Sequence, residues 1–279
     1  MRVVRTIAAL RRSVLQWKEA GEQIALVPTM GALHAGHLAL VRAAEGNAQR
    51  VIVSIFVNPA QFSPEEDLTS YPRDFAADRA TLKRMAVDLV WAPDNAVMYP
   101  AGFATRVVPS GPACVGLEDK FRPHFFTGVA TVVAKLLVQC SPEFAVFGEK
   151  DYQQLKVVSR LANDLDLPTR IAAVPTVREK DGLALSSRNA YLSQSERAQA
   201  PVLYRVLKES AARIADGEVL PRVLKDGAAA IGAAGFRLDY LDARDDETLR
   251  PVSAAKQAPL RLLVAAWLGK TRLIDNVAV

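Results

Sequence analysis

The stretch from Ile24 to Val57 restricts the possible fold more than any other part of the chain. Ile24–Val27 is a short apolar run closed by Pro28-Thr29. Val51–Val57 is a longer run, rich in β-branched residues and closed by Asn58-Pro59. Uninterrupted apolar runs of strand length read as strands buried on both faces. Between them, Leu38–Gln49 reads as a helix. Strand, helix, strand in that order is a βαβ unit, which makes the two strands parallel. The alternation continues. Phe75–Met85 reads as a helix and Val87–Trp91 as a buried strand stopped by Pro93. Val129, Val132, Val133, Leu136, Leu137 and Cys140 follow helical spacing. Phe144–Phe147, Tyr152–Leu165 and Arg170–Val174 then read as strand, helix and strand. The expected architecture is a doubly wound, Rossmann-like parallel sheet of the α/β class in residues 1–175. Sheets of this kind bind ligands beyond the carboxyl ends of their strands.

After Pro175 the texture changes. Thr176–Arg178 and Leu183–Leu185 flank an Asp181-Gly182 turn, a hairpin signal. Helical stretches follow near Ser195–Asp216 and Leu220–Ala234. Phe236–Ala243, Leu260–Ala266 and Arg272–Ile274 then read as a small antiparallel sheet. Residues 176–279 are therefore expected to form a smaller C-terminal α+β domain.

Composition excludes several function classes. Half of the residues are hydrophobic and the net charge is only +5, so the chain is not of the disordered type. No apolar run approaches the roughly 18–20 residues of a membrane span. The apolar segment before Arg11-Arg12 is too short for a secretory leader. The basic excess is spread over both halves with no stripe or tail, which argues against a nucleic-acid partner. The two cysteines, Cys114 and Cys140, have no CxxC spacing. That excludes a disulfide framework or a structural zinc and fits a reducing cytoplasm.

Three segments carry the chemistry. Pro28-Thr29-Met30-Gly31-Ala32-Leu33-His34-Ala35-Gly36-His37 follows a strand and opens a helix. Gly31 allows a tight turn and Gly36 leaves room for a ligand. Free N–H groups at a helix start suit phosphate. Two imidazoles three residues apart, on one helical face, are expected to reach that phosphate together. A His-x-x-His pair could instead hold a metal, but HExxH spacing is absent and the third histidine, His124, is distant. The second segment, Gly148-Glu149-Lys150-Asp151, falls between a strand and a helix at the same sheet edge. It offers Lys150 as a compact positive charge. Gln154 and Gln61 face the same expected crevice. The third, Leu185-Ser186-Ser187-Arg188, supplies two hydroxyls and a guanidinium suited to a departing pyrophosphate.

The first motif resembles the histidine signature of the nucleotidylyltransferase superfamily, which includes class I aminoacyl-tRNA synthetases. Further stretches narrow the resemblance to the pantoate–β-alanine ligase (pantothenate synthetase) family. They are Phe56-Val57-Asn58-Pro59-Ala60-Gln61-Phe62, Tyr71-Pro72-Arg73-Asp74, Phe147 to Leu155, Asp181 to Asn189 and Ala265-Ala266-Trp267-Leu268-Gly269.

The resemblance implies an enzyme that condenses pantoate with β-alanine at the expense of ATP, through a pantoyl adenylate, with Mg²⁺. It assigns ATP to Met30, Gly31, Ala32, Leu33, His34, Ala35, Gly36 and His37, to Gly148, Glu149, Lys150 and Asp151, and to Val177, Leu185, Ser186, Ser187 and Arg188. His37, His34 and Lys150 are its catalytic candidates. Gln61, Gln154 and Asn58 are assigned to substrate, and Asp78 is the one metal candidate. It also implies a cytoplasmic homodimer. A stable adenylyl transfer and an RNA-binding module are the rival readings. In the family an Arg-Pro-x-His-Phe-x-Gly-Val stretch is common. Here it is Arg122-Pro123-His124-Phe125-Phe126-Thr127-Gly128-Val129, with Phe125 at the usual histidine position. If this segment is extended, His124 points away from the site and Phe125 forms an apolar wall.

Overall fold

A computed structural model describes residues 1–63, 66–252 and 259–279. Six parallel strands form one sheet: β1 (Arg2–Val4), β2 (Ile24–Thr29), β3 (Arg50–Ile55), β4 (Leu89–Trp91), β5 (Phe144–Gly148) and β6 (Arg170–Val174). Their order is β1-β4-β3-β2-β5-β6. The chain runs outward from β2 through β3 and β4, then returns to place β5 on the other side of β2. The switch point therefore lies between the carboxyl ends of β2 and β5, where such sheets open a crevice.

The four inner strands are buried on both faces because each feeds two cores. Ile24 and Leu26 of β2 join Ile52, Leu89 and Trp91 on one face. Ala25 and Val27 join Val51, Val53 and Val90 on the other. This is the alternation of a pleated strand, and it explains why the runs are apolar without a polar face. Helices α1 (Ile7–Glu19), α6 (Phe125–Cys140) and α7 (Tyr152–Asp164) cover the first face. Helices α2 (Ala35–Glu45) and α3 (Phe75–Arg84) cover the second. Two short helices, α4 (Asn95–Met98) and α5 (Glu118–Phe121), lie before α6.

The C-terminal part holds α8 (Gln194–Gln199), α9 (Val202–Ala215) and α10 (Leu220–Ala233). An antiparallel sheet follows, β7 (Arg237–Asp245), β8 (Leu260–Leu268) and β9 (Thr271–Ala278), in the order β7-β8-β9. Leu260, Leu262, Val264, Ala266 and Leu268 of β8 pack with α9 and α10. Leu263 and Leu249 join the core of the parallel sheet, so the small sheet is fastened to the large one.

Several boundaries differ from the sequence expectation. Helix α2 begins at Ala35 rather than Leu38, which moves His37 into its first turn. The expected helix over Ser195–Asp216 is divided between α8 and α9 at Ala200-Pro201, where proline lacks the N–H that would continue it. The hairpin at 176–185 is minimal, with one bridge between Arg178 and Ala184. β1 and α1 were not expected. Leu10, Val14 and Trp17 carry the helical spacing, and the charged pair Arg11-Arg12 between them is exposed. Among the described residues no helix is long and apolar enough to cross a membrane.

Candidate active site

A crevice of about 820 Å³ opens at the carboxyl ends of β2 and β5. The turn after β2 forms its floor. Thr29 Oγ1 donates to the Ser54 carbonyl and accepts from Gly31 N–H. Gly31 takes φ +82°, and a Cβ there would lie 2.9 Å from Asp78 Oδ2. Asp78, the expected metal candidate, anchors this turn. Its Oδ2 accepts from Ala32 N–H at 2.9 Å and its Oδ1 from Leu33 N–H at 2.8 Å. Burial pushes its carboxyl up, against the pull of those two N–H groups.

The two histidines do not share a helical face as expected. His34 is the N-cap of α2, with φ −131°, and only His37 is inside the helix. They meet because each serves as a cap. His34 Nδ1 accepts from Gly36 N–H at 3.1 Å, and His37 Nδ1 accepts from His34 N–H at 3.3 Å. The ring centroids are 4.1 Å apart. A Cβ at Gly36 would stand 2.9 Å from the His34 ring, so glycine is what permits this stacking. With both Nδ1 atoms accepting, the hydrogen-bond network assigns the proton of each neutral ring to Nε2. Burial, with Lys150 nearby, pulls His34 down to about 4. Burial, then His34 and Lys150, pulls His37 down to about 3. At neutral pH the pair is thus two uncharged donors.

Lys150 sits in the short turn Glu149–Asp151 after β5, with its Nζ 3.7 Å from Asp151 Oδ1. Lys150, Asp151 and Gly148 border the crevice, as do Met30, His34, Gly36, His37, Val177, Leu185, Ser186, Ser187 and Arg188. The remaining ATP candidates do not. Ala32 and Leu33 are held by Asp78. Gly31 faces a separate recess, and Ala35 is not among the crevice residues. Glu149 turns toward the small sheet, 3.7 Å from Arg261. The loop bearing Ser187 closes over the turn: Ser187 Oγ donates to the Ala32 carbonyl at 3.1 Å. Arg188 forks onto Asp67 through Nε (3.1 Å) and a terminal nitrogen (2.9 Å), so its guanidinium already has a carboxylate partner.

Gln61 and Gln154 border the same crevice. Gln61 lies on the turn Pro59–Gln61, with Nε2 3.1 Å from Met30 Sδ. Asn58 borders the crevice as well, and its amide is bonded to the protein itself. Its Nδ2 donates to Gln61 Oε1 and the Gly128 carbonyl, and its Oδ1 accepts from Ala60 N–H and Tyr99 O–H. That uses both donors and both lone pairs. Asn58 is thus a buried brace under Gln61 at the crevice wall.

Phe125 borders the crevice and is buried, whereas the exposed His124 is not a crevice residue. The segment is not extended. His124 immediately precedes α6 with helical φ of −89°, so the rotation of roughly 100° per helical residue separates the two rings.

Residues missed at the sequence level surround these. Arg122 stacks on Phe125 at 3.7 Å, forks onto Glu66 and donates to the Gln61 carbonyl. Arg272 of β9 forks onto Glu118 and donates to Asp239. Tyr240 O–H also donates to Glu118. Burial alone would raise the Glu118 carboxyl, but Arg272 and Arg122 hold it below the usual range. Only Arg122 lay within a recognisable motif; the others come from elements distant along the chain.

Comparison with known proteins agrees with this fold. The family model described as pantoate-beta-alanine ligase matches residues 2–278. A pantothenate synthetase of Rhodopseudomonas palustris (strain BisA53) is 60% identical over 277 residues, covering 99% of this chain and 98% of the relative. Pantothenate synthetase 2 of Bradyrhizobium diazoefficiens is 59% identical over the same length, with the same coverage of each chain. The crystal structure of pantothenate synthetase from Thermus thermophilus superposes with a TM-score of 0.94 at 49% identity, covering 99% of each chain. A pantoate-beta-alanine ligase from Francisella tularensis, complexed with beta-gamma ATP and beta-alanine, gives 0.84 at 33% identity, covering 100% of this chain and 97% of that one.

Proposed function

The chain belongs to the pantoate–β-alanine ligase family, and from that premise we propose that it joins its substrates in two steps through a pantoyl adenylate. A carboxylate oxygen is a poor leaving group, so the acid must be activated before an amine can acylate. In the first step the pantoate carboxylate attacks the α-phosphorus of ATP, and the bond to the β-phosphate breaks, releasing pyrophosphate. In the second, the amine of β-alanine attacks the acyl carbon. AMP leaves and the amine gives up a proton.

The carrying observation is the meeting, at one switch point, of two neutral Nε2–H donors and the Lys150 cation with the two glutamines of the same crevice. His34 and His37 donate to oxygens of the α-phosphate as negative charge grows there, and Lys150 balances it. Such fixed donors need no reorganisation during transfer. Gln61 and Gln154 hold pantoate by its hydroxyl and carboxylate groups, Gln61 also lying toward β-alanine. Ser186, Ser187 and Arg188 hold the departing pyrophosphate, which for Arg188 means exchanging Asp67 for phosphate. Magnesium enters as part of the ATP–Mg²⁺ substrate. Among the described residues no three His, Cys, Asp or Glu side chains converge, and Asp78 is committed to the turn backbone, so the donor set does not suit a resident ion. In this reading residues 1–175 bind ATP and pantoate and residues 176–279 bring the Ser-Ser-Arg loop. The enzyme acts as a cytoplasmic homodimer, which gel filtration with light scattering would test.

The deciding experiment is exchange of labelled pyrophosphate into ATP with pantoate present and β-alanine absent. Exchange is expected. Exchange that requires β-alanine would overturn the adenylate.

A further inference from the structure

We propose that Asn276, on β9 of the small sheet, is a positioning residue for Lys150. The inference rests on the reading above, in which Lys150 balances charge at the transferring phosphate. Asn276 is 4% exposed. Its Nδ2 donates to the carbonyl of Glu149 at 2.8 Å and to that of Lys150 itself at 3.0 Å. Its Oδ1 accepts from Arg261 at 3.2 Å. The orientation of the amide follows from chemistry: a guanidinium only donates and the two carbonyls only accept, so oxygen and nitrogen cannot exchange places. Arg261 is itself fixed, by Asp246 at 2.9 Å and by stacking on Tyr152.

The turn that carries Lys150 has little else of this kind to hold it. Neither Gly148, before the turn, nor Asp151, before α7, makes a side-chain cap. The amide of Asn276 supplies what the local sequence omits, and it does so from another part of the chain. The neighbouring residue does the same for the other phosphate-binding segment. Asp275 accepts a fork from Arg178, at 2.6 and 2.8 Å, and Arg178 also donates to the Gly182 carbonyl. This closes the base of the hairpin that leads into Ser186–Arg188. Consecutive strand residues point to opposite faces. β9 therefore stands between the two segments and serves each with one side chain, setting the spacing between Lys150 and the Ser-Ser-Arg loop.

The test is a double-mutant cycle on the full chain, read by pantoate-dependent ATP–pyrophosphate exchange, with unfolding temperature as the check on folding. Asn276→Ala removes both donors. Asn276→Asp also removes them while keeping the side-chain shape and the Arg261 contact, and so covers the case in which the alanine variant fails to fold. Exchange is expected to fall roughly ten- to a hundredfold, the scale of a small misplacement of a catalytic group. With Lys150→Ala already present, the same change is expected to cost less than about twofold, because residues acting as one unit are not additive. Wild-type exchange in folded Asn276→Asp would overturn the inference. So would an equal loss in both Lys150 backgrounds, which is the mark of a merely structural role. If Lys150→Ala alone exchanges at the wild-type rate, the Lys150 reading itself fails, and the route assigned to Asn276 fails with it.

Discussion

His34 and His37 both cap the start of α2, and this fixes their protonation. Each spends Nδ1 on a backbone N–H of its own turn, which leaves Nε2–H for the crevice. Burial holds them at about 4 and about 3 instead of 6.5. In the ligand-free protein, proton NMR of these two rings is therefore expected to show no titration between pH 8 and about 5.5. A midpoint near 6.5 for either ring would contradict the neutral-donor role. The same shifts bear on stability. The unfolded chain takes up protons below 6.5 while the folded one does not, so the contribution of these rings is complete above pH 6.5. It is lost as the pH falls toward the folded values. Urea midpoints should thus drop more between pH 7 and 5 in the wild type than in a His34→Asn/His37→Asn variant. Turnover gives the third comparison. His37→Ala and Lys150→Ala should each lower it by roughly 10²–10³, the scale of one lost transition-state donor. His124→Ala should stay close to wild type, since that ring is exposed outside the crevice.

The start of α6 lies against the turn that carries Gln61, and Gly128 makes the approach possible. A Cβ there would overlap the Ala60 carbonyl oxygen and come within 2.8 Å of the Gln61 backbone. Gly128→Ala is expected to push the Pro59–Gln61 turn outward, costing about 1–3 kcal/mol as overpacking does. The KM for pantoate should rise several-fold while that for ATP changes little; equal rises would detach Gln61 from pantoate. The same region shows what can be read from sequence. β2, β3, β4 and β5 were legible because strands buried on both faces leave unbroken apolar runs. The histidine and lysine segments were legible as one edge because parallel strands deliver their carboxyl ends together. The roles of Asn58, Asp78 and Glu149 were not. An amide or carboxylate looks the same in sequence whether it meets a ligand or a backbone N–H, and these three find partners as far away as Gly128, Leu33 and Arg261. The break between α8 and α9 was marked by Pro201, yet the apolar spacing on both sides continued across it.

The two sheets are joined by buried charge as well as by Leu249 and Leu263. Arg272 and Tyr240 of the small sheet converge on Glu118 of α5, and Arg272 also meets Asp239. Removing Arg272 leaves the little-exposed Glu118 and Asp239 carboxylates without their shared cation. Arg272→Met is therefore expected to destabilise the protein by about 3 kcal/mol in urea titration, the scale of a broken buried pair. A change under about 0.5 kcal/mol, the scale of an exposed pair, would mean that water reaches the cluster. The tie from Asn276 to the lysine turn spans 126 residues of chain, and that length bears on the order of events at the ribosome. Domains form from the N-terminal side as synthesis proceeds. The parallel sheet is complete at Val174, with its histidine pair already capped by local bonds. The lysine turn waits for β9. On the proposal made above, a half-made chain thus carries the crevice with its lysine unfixed, and full exchange activity waits for β9 to dock.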